Sequence, residues 1–382
     1  MRQGIRANLT PLKRSISRPL PDGLELVLGA LLLVLAGPAR AEGRDVTATL
    51  EVNAGRDFRA LSLLGDVELR DDATFLALGY TAARTGEDTA PTHQLLLGVD
   101  HAAGDHWLLS AMANVGLPKS TLVPLAPERP LLRLPAVDAR TGYSSQGLLL
   151  SAAFDSGGFS DSEYGFDAGL SLTRYALHRE LRVTSRTDTT VRYARDERLW
   201  VARPSAGARL LLGLQWELGL RAGFSLYSGD PLTAGQFTDA EVSELAQRFE
   251  NAVEARLALR GLRTRIQRDL GSALTRRMSD VNATSGITTA PVRFDLKPSL
   301  TWRLSSRLRG QLSYAFTRYV SGQGFSQVLA TRWTLRLGEA RVWGAVALQQ
   351  DHLGDAAQVP EDGGQPSPVR SGLVTLGGEY TF

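Results

Sequence analysis

Val292-Arg293-Phe294-Asp295-Leu296-Lys297-Pro298-Ser299-Leu300-Thr301-Trp302-Arg303-Leu304 alternates apolar and polar residues along its whole length. Val292, Phe294, Leu296, Leu300, Trp302 and Leu304 fall on one side. Arg293, Asp295, Lys297, Ser299, Thr301 and Arg303 fall on the other. A period of two is that of a β-strand with two different faces. The same pattern runs through Leu214–Tyr227 and Val253–Gly261. These segments reach ten residues or more, whereas a strand in a soluble domain averages about five or six. A strand crossing a bilayer at a tilt needs about nine to eleven.

The connections sort by length. Short turns are expected at Arg70–Asp72, Ala102–Asp105, Ser156–Gly158, Leu304–Ser306 and Gly338–Glu339. Longer loops are expected at Gly86–Pro91, Leu117–Ala139, Leu177–Arg195, Ser228–Glu250, Ser279–Pro291 and His352–Arg370. Short turns on one side and long loops on the other are the habit of transmembrane barrels. The expected fold is therefore all-β: a transmembrane antiparallel up-and-down barrel of about sixteen strands, within a range of about fourteen to eighteen. Two of these strands are placed at 251–261 and 262–276. A capping-box spacing at Thr238–Glu241, with Val242, Leu245, Ala246 and Phe249 on one helical face, predicts a short helix over 239–249 in an external loop.

Aromatic residues give the strands direction. With both termini on the periplasmic side, Trp107 and Trp216 begin outgoing strands, while Phe154, Trp302 and Trp333 end returning ones. Together with Phe382 they form one girdle. Tyr80, Phe224, Phe316 and Trp200 form the other. Trp107, Trp216, Trp302 and Trp333 are the expected membrane-girdle residues.

The N-terminus reads as an export signal. Arg2, Arg6, Lys13, Arg14 and Arg18 precede the apolar run Leu26–Gly37, and Ala39-Arg40-Ala41 supplies small residues for cleavage. Residues 1–41 are the expected signal peptide and 42–382 a single barrel domain. Six of the 43 Lys and Arg and two of the 40 Asp and Glu lie in 1–41. The net charge of +3 thus belongs to that segment, and basicity gives no support for a nucleic-acid partner. The chain has no cysteine, which excludes disulfides, thiolate metal sites and lipidated cysteine.

The C-terminus carries a more specific signal. In Thr375-Leu376-Gly377-Gly378-Glu379-Tyr380-Thr381-Phe382, the residues Thr375, Gly377, Tyr380 and Phe382 resemble the β-signal of Gram-negative outer-membrane β-barrel proteins. The resemblance implies residence in the outer membrane, insertion by the barrel assembly machinery and outer-membrane lipids as surroundings. Strand number, basic lumen and size give a further resemblance to polysaccharide-export barrels. Those barrels carry a helical-repeat periplasmic domain, whereas here the first strand is expected within a few residues of Ala41.

Alternation also assigns the residues of the lumen. An acidic arc is expected from Glu51, Asp66, Glu68, Asp100, Asp155 and Asp167. A basic arc is expected from Arg203, Arg209, Arg221, Arg256, Arg260, Arg263, Arg265, Arg293, Lys297, Arg303, Arg309, Arg332, Arg336 and Arg341. Strand order sets the two arcs opposite each other, so a transverse field would favour anionic or dipolar passengers. The expected function is a channel for polar or anionic material. Its sharper form is export of an acidic polysaccharide with a separate periplasmic partner. The alternative is a structural or interaction barrel of a surface complex with no transport role. The five histidines show neither a G-x-S-x-G elbow nor an H-E-x-x-H pair, so no enzyme, metal or cofactor is expected.

Overall fold

The computed structural model describes residues 46–55, 58–69, 73–85, 92–126, 136–156, 164–184, 190–231, 291–320, 322–353 and 369–381. The expected signal peptide, the helix at 239–249, the strands at 251–261 and 262–276, and Phe382 lie outside them. The strands are β1 (Val46–Gly55), β2 (Phe58–Glu68), β3 (Thr74–Thr85), β4 (Thr92–Ala103), β5 (Trp107–Ala126), β6 (Ala136–Asp155), β7 (Tyr164–Thr184) and β8 (Thr190–Leu212). They continue with β9 (Trp216–Phe224), β10 (Leu226–Tyr227), β11 (Val292–Arg303), β12 (Leu308–Tyr319), β13 (Gly324–Leu337), β14 (Ala340–Leu353) and β15 (Val369–Thr381).

Each strand pairs antiparallel with its neighbours, and β1 pairs with β15 from Thr47↔Thr381 to Gly55↔Leu373. Pairing of β8 with β9 and of β9 with β11 completes the circuit. The result is a closed ring of 14 strands; the two-residue β10 pairs with β8 outside it. About sixteen strands were expected. The difference arises at one place: β9 and β11 are in continuous register from Phe224↔Phe294 to Trp216↔Trp302. Each occupies the hydrogen-bonding edge of the other, so no strand stands between them in the wall.

Both described ends of the chain, Val46 and Thr381, lie at one end of the ring, here the turn side. Gly104, Gly213 and Gly338 take positive φ angles of 71°, 67° and 63° in three turn-side hairpins. Such tight reversals need φ > 0, which a Cβ disfavours. In the hairpin between β11 and β12, the amides of Arg307 and Leu308 donate to Ser305 Oγ. The 213–215 turn leaves Leu214 93% exposed, so β9 begins two residues later than the alternation suggested. The short turn expected at Ser156–Gly158 is a longer connection, since β7 does not start until Tyr164.

On the opposite, loop side, four strands outrun the rest. β5, β6, β7 and β8 hold 20, 20, 21 and 23 residues, whereas the other wall strands hold 9 to 14. At about 3.3 Å per residue, these strands are about 70 Å long against about 40 Å for their neighbours. Most of Leu117–Ala139 and Leu177–Arg195, expected as loops, is therefore strand. Period-two hydropathy disappears where no apolar phase has to be matched, but the backbone ladder continues without it. The register between β5 and β6 shifts twice, between Gly116 and Lys119 and between Pro124 and Ala126. Pro118 and Pro124 lie at these shifts, where a missing amide N–H interrupts the ladder.

The outer face is apolar. Leu50, Val52, Leu95, Leu97, Leu148, Leu150, Leu218, Leu220, Val346, Leu348, Val374 and Leu376 are exposed there in cross-strand rows. The alternate positions point inward and are largely polar.

The ring is sealed by side chains from β13 to β1. Trp343 of β14 lies flat over Gly377 of β15, where any Cβ would collide with its indole. The indole Nε1 donates to Glu51 Oε2 on β1 at 3.3 Å, and Arg332 of β13 stacks on the ring at 4.8 Å. The Thr375 hydroxyl donates to Asn53 Oδ1 at 2.5 Å, and Asn53 Nδ2 donates to Glu51 Oε1 at 2.9 Å. Gly377→Val should dislodge Trp343 and destabilise the barrel by about 1–3 kcal/mol, the usual cost of overpacking. Gly378→Ala has its nearest contact at 3.8 Å and should stay within about 0.5 kcal/mol of wild type. Urea unfolding followed by tryptophan fluorescence distinguishes the two; equal losses would show that the Trp343–Gly377 contact is not what matters.

Candidate functional site

The inner wall is uneven around the ring. On β2 and β12–β15 its loop-side half carries a buried apolar cluster of Phe58, Ala60, Ala315, Val328, Ala330, Ala347 and Leu373, interleaved with buried Thr317, Ser326, Gln349 and Asp351. The Tyr319 hydroxyl and the Gln349 amide both donate to Asp351 Oδ1 there. On β6–β9 and β11 the inner wall is ionic instead. A cavity of about 320 Å3 opens there, lined by Asp155, Asp167, Arg209, Arg221, Lys297 and Ser299 among others.

Three ion pairs of this wall each reach over an intervening strand that carries a glycine. Arg209 of β8 meets Asp155 of β6 across β7. Arg221 of β9 meets Asp167 of β7 across β8 at 2.6 Å. Arg203 of β8 meets Asp295 of β11 across β9 at 2.5 Å. At each crossing the middle strand carries a glycine, respectively Gly165, Gly207 and Gly223. A Cβ at Gly165 would strike Arg209, one at Gly207 would strike Asp167, and one at Gly223 would lie 2.7 Å from Asp295 Oδ2. The missing side chains form saddles in which the charged groups lie flat against the wall. Lys297 Nζ approaches Asp295 Oδ1 at 3.8 Å, and Arg309 of β12 approaches Glu217 of β9 at 3.4 Å across β11.

This geometry changes the two-arc picture drawn from the sequence. Asp155 on β6 and Asp167 on β7 lie one strand removed from Arg209 on β8 and Arg221 on β9, so each meets its arginine along the wall rather than facing it across the lumen. Charges stay apart near the turn-side mouth. Asp66, Glu68 and Asp100 share inner-face rows on β2 and β4 with Ala77 and Phe75 of β3. Arg303, Arg309, Arg336 and Arg341 stand exposed on the inner face of β11–β14. Arg309 has Glu217 as partner, and Arg341 has Glu379 at 3.2 Å. Among the described residues, neither Arg303 nor Arg336 has an acidic partner.

Other expected site residues have different surroundings. Glu51 and Arg332 belong to the seam. The register of β11 shifts between Val292 and Phe294, and the Arg293 guanidinium lies over the outward Phe224 ring at 4.7 Å. Arg293 thus departs from its expected place in the lumen. Arg256, Arg260, Arg263 and Arg265 lie outside the described residues. Trp107, Trp216, Trp302 and Trp333 stand on the outer face at the turn-side ends of their strands, with Trp216, Trp302 and Trp333 in a row at centroid spacings of 6.3 and 5.4 Å. Trp200 lies toward the loop side with Arg174 over its ring at 5.7 Å. Tyr80 is largely covered, and its hydroxyl shares a hydrogen bond with His93 Nδ1 at 2.6 Å. The glycine saddles were missed from sequence. Gly165, Gly207 and Gly223 share the inward parity of the charged residues, and that coincidence was the available signal.

Asp155 is 2% exposed, so removing the Arg209 guanidinium takes an ion-pair partner from a buried carboxylate. Arg209→Met should cost about 2–4 kcal/mol, discounted for the partial exposure of Arg209. The double substitution Arg209→Met/Asp155→Asn should recover most of that loss. Urea titration of wild type and both variants measures the recovery; a double variant as unstable as the single one would mean that the pair contributes nothing specific.

No family model and no curated protein matches the chain. Several solved barrels are similar in outline. A monoaromatic hydrocarbon channel, CymD, has 8% identity and a TM-score of 0.46, covering 92% of each chain. A Pseudomonas aeruginosa FadL homologue has 10% identity and a TM-score of 0.46, covering 88% of this chain and 90% of its own. The Pseudomonas putida toluene transporter TodX has 9% identity and a TM-score of 0.42, covering 92% and 93%. Similarity this loose transfers neither ligand nor residue role to this chain.

Proposed function

We propose that this chain is an outer-membrane channel for polar or anionic material. The reading is carried by the inversion between its two surfaces: a closed wall with an apolar exterior and an ionic interior that opens toward the turn side on Arg303, Arg309, Arg336 and Arg341. A closed barrel is one of the two ways a chain can satisfy its backbone within lipid, and an apolar outer band suits that setting. Arginines at a mouth offer charge-assisted hydrogen bonds to carboxylate, sulfate or phosphate groups. The ion-paired wall at β6–β9 and β11 then gives a passenger polar contacts along its path, while the apolar cluster on β12–β15 does not. Export of an acidic polysaccharide with a separate periplasmic partner is the sharper form of this reading.

The long β5–β8 strands favour a second reading, a barrel that presents a surface to another protein. They extend the sheet on one side of the ring only, which a simple pore does not require.

Single-channel recording in planar bilayers separates the readings. The full chain should conduct with a preference for anions. Changing Arg303, Arg309, Arg336 and Arg341 together to Glu should shift the reversal potential toward cations. Absence of conductance, or a reversal potential unmoved by the fourfold substitution, would end the channel proposal and favour the docking one.

A further inference from the structure

Thr334 of β13 is ringed by arginines. On the inner face it pairs with Arg309 of β12 on one side and with Trp343 of β14 on the other. Arg332 and Arg336 precede and follow it on the same face of β13, and Arg341 stands directly opposite Arg336 on β14. The guanidinium groups thus start from three adjacent strands, a span of about 10 Å at the usual strand spacing. Thr334 is half-buried, while Arg309, Arg336 and Arg341 are exposed at the turn-side mouth.

The charges of this patch do not balance. Arg336 and Arg341, like Arg303 and Arg309, are directly opposed residues of like charge, an arrangement that disfavours a strand pair. Glu217 approaches Arg309 and Glu379 approaches Arg341. Arg332 lies in the field of Glu51 and Glu379, but also in that of Arg309 and Arg341. The two charges of Arg303 and Arg336 have no acidic partner among the described residues.

An independent observation points to an anionic acceptor. Arg332 stacks on Trp343 at 4.8 Å, and its Nε is buried with no hydrogen-bond partner. A buried donor is ordinarily satisfied, and an oxyanion held among these arginines supplies the acceptor. The uncompensated charge suits a dianion. Guanidinium forks together with the Thr334 hydroxyl donate to three oxygens at once, which a phosphate presents and a carboxylate does not.

We propose that Arg309, Arg332, Arg336, Arg341 and Thr334 bind the phosphate group of an organic phosphate monoester at the turn-side mouth. The proposal rests on the channel reading and deepens it by naming the chemical class of the passenger. Arg336 supplies the fork without a carboxylate partner, and Thr334 leaves the low floor between the longer side chains on which the phosphate sits.

Isothermal titration of the full chain, refolded in detergent micelles, measures binding without requiring conduction. Glucose-6-phosphate should bind about tenfold more tightly than glucuronate, which offers a carboxylate in its place. Arg336→Gln should weaken glucose-6-phosphate binding about tenfold and Thr334→Val about threefold. Arg318→Gln, on the outer face, should leave it unchanged. Heat-modifiable gel mobility checks that each variant is folded. Equal affinity for the two sugars would overturn the proposal, as would an affinity unmoved by Arg336→Gln. Binding of inorganic phosphate without glucose-6-phosphate would assign the patch to the free ion and overturn it too. Planar-bilayer recording tells the two failures apart: conductance without binding would end this proposal alone, whereas binding without conductance would end the channel reading and retain the site.

Discussion

A strand with an unpaired edge carries a row of amide and carbonyl groups that water must satisfy, and an apolar surroundings cannot. Closure of β1 onto β15 removes the edge, and the rest of this protein is organised around that seam. The pairing is reinforced by a chain of contacts from Arg332 through Trp343 and Gly377 to Glu51, Asn53 and Thr375. Two of the residues that resemble an assembly signal, Thr375 and Gly377, thus have a structural part in the finished wall. One supplies a buried hydrogen bond, and the other leaves the space an indole fills.

The same device of a missing side chain recurs inside. Gly165, Gly207 and Gly223 let arginines and aspartates from strands on either side meet over the strand between them. Ion pairs that lie in such saddles hold the wall laterally over three strands at a time and keep charge close to the backbone. The cost is that Asp155 and Asp167 have much of their charge offset by Arg209 and Arg221. At the turn-side mouth, Asp66, Glu68 and Asp100 on β2 and β4 stay apart from Arg303 and Arg336 on β11 and β13.

Alternation in single strands was legible because a wall between two unlike phases forces a period of two. It carried the strand directions and the turn-side placing of Trp107, Trp216, Trp302 and Trp333. It failed over Leu117–Ala139 and Leu177–Arg195, where β5–β8 continue beyond the other strands and hydropathy no longer has to alternate. It also overcounted, because a segment such as Val253–Gly261 can alternate without revealing which edges are free to pair. The β9–β11 register answers that question for the wall.

The residues alone determined that the chain is β-structured and which side chains share a face, and they offered the resemblance of Thr375, Gly377, Tyr380 and Phe382 to an assembly signal. Those are local properties, set by the pleat and by hydropathy two residues apart. Only the tertiary structure decided that the ring holds 14 strands, that Arg209 reaches Asp155, and that Arg303, Arg309, Arg336 and Arg341 gather at one mouth. Each of these depends on the order and stagger of strands far apart in the chain, and a period of two contains no information about either.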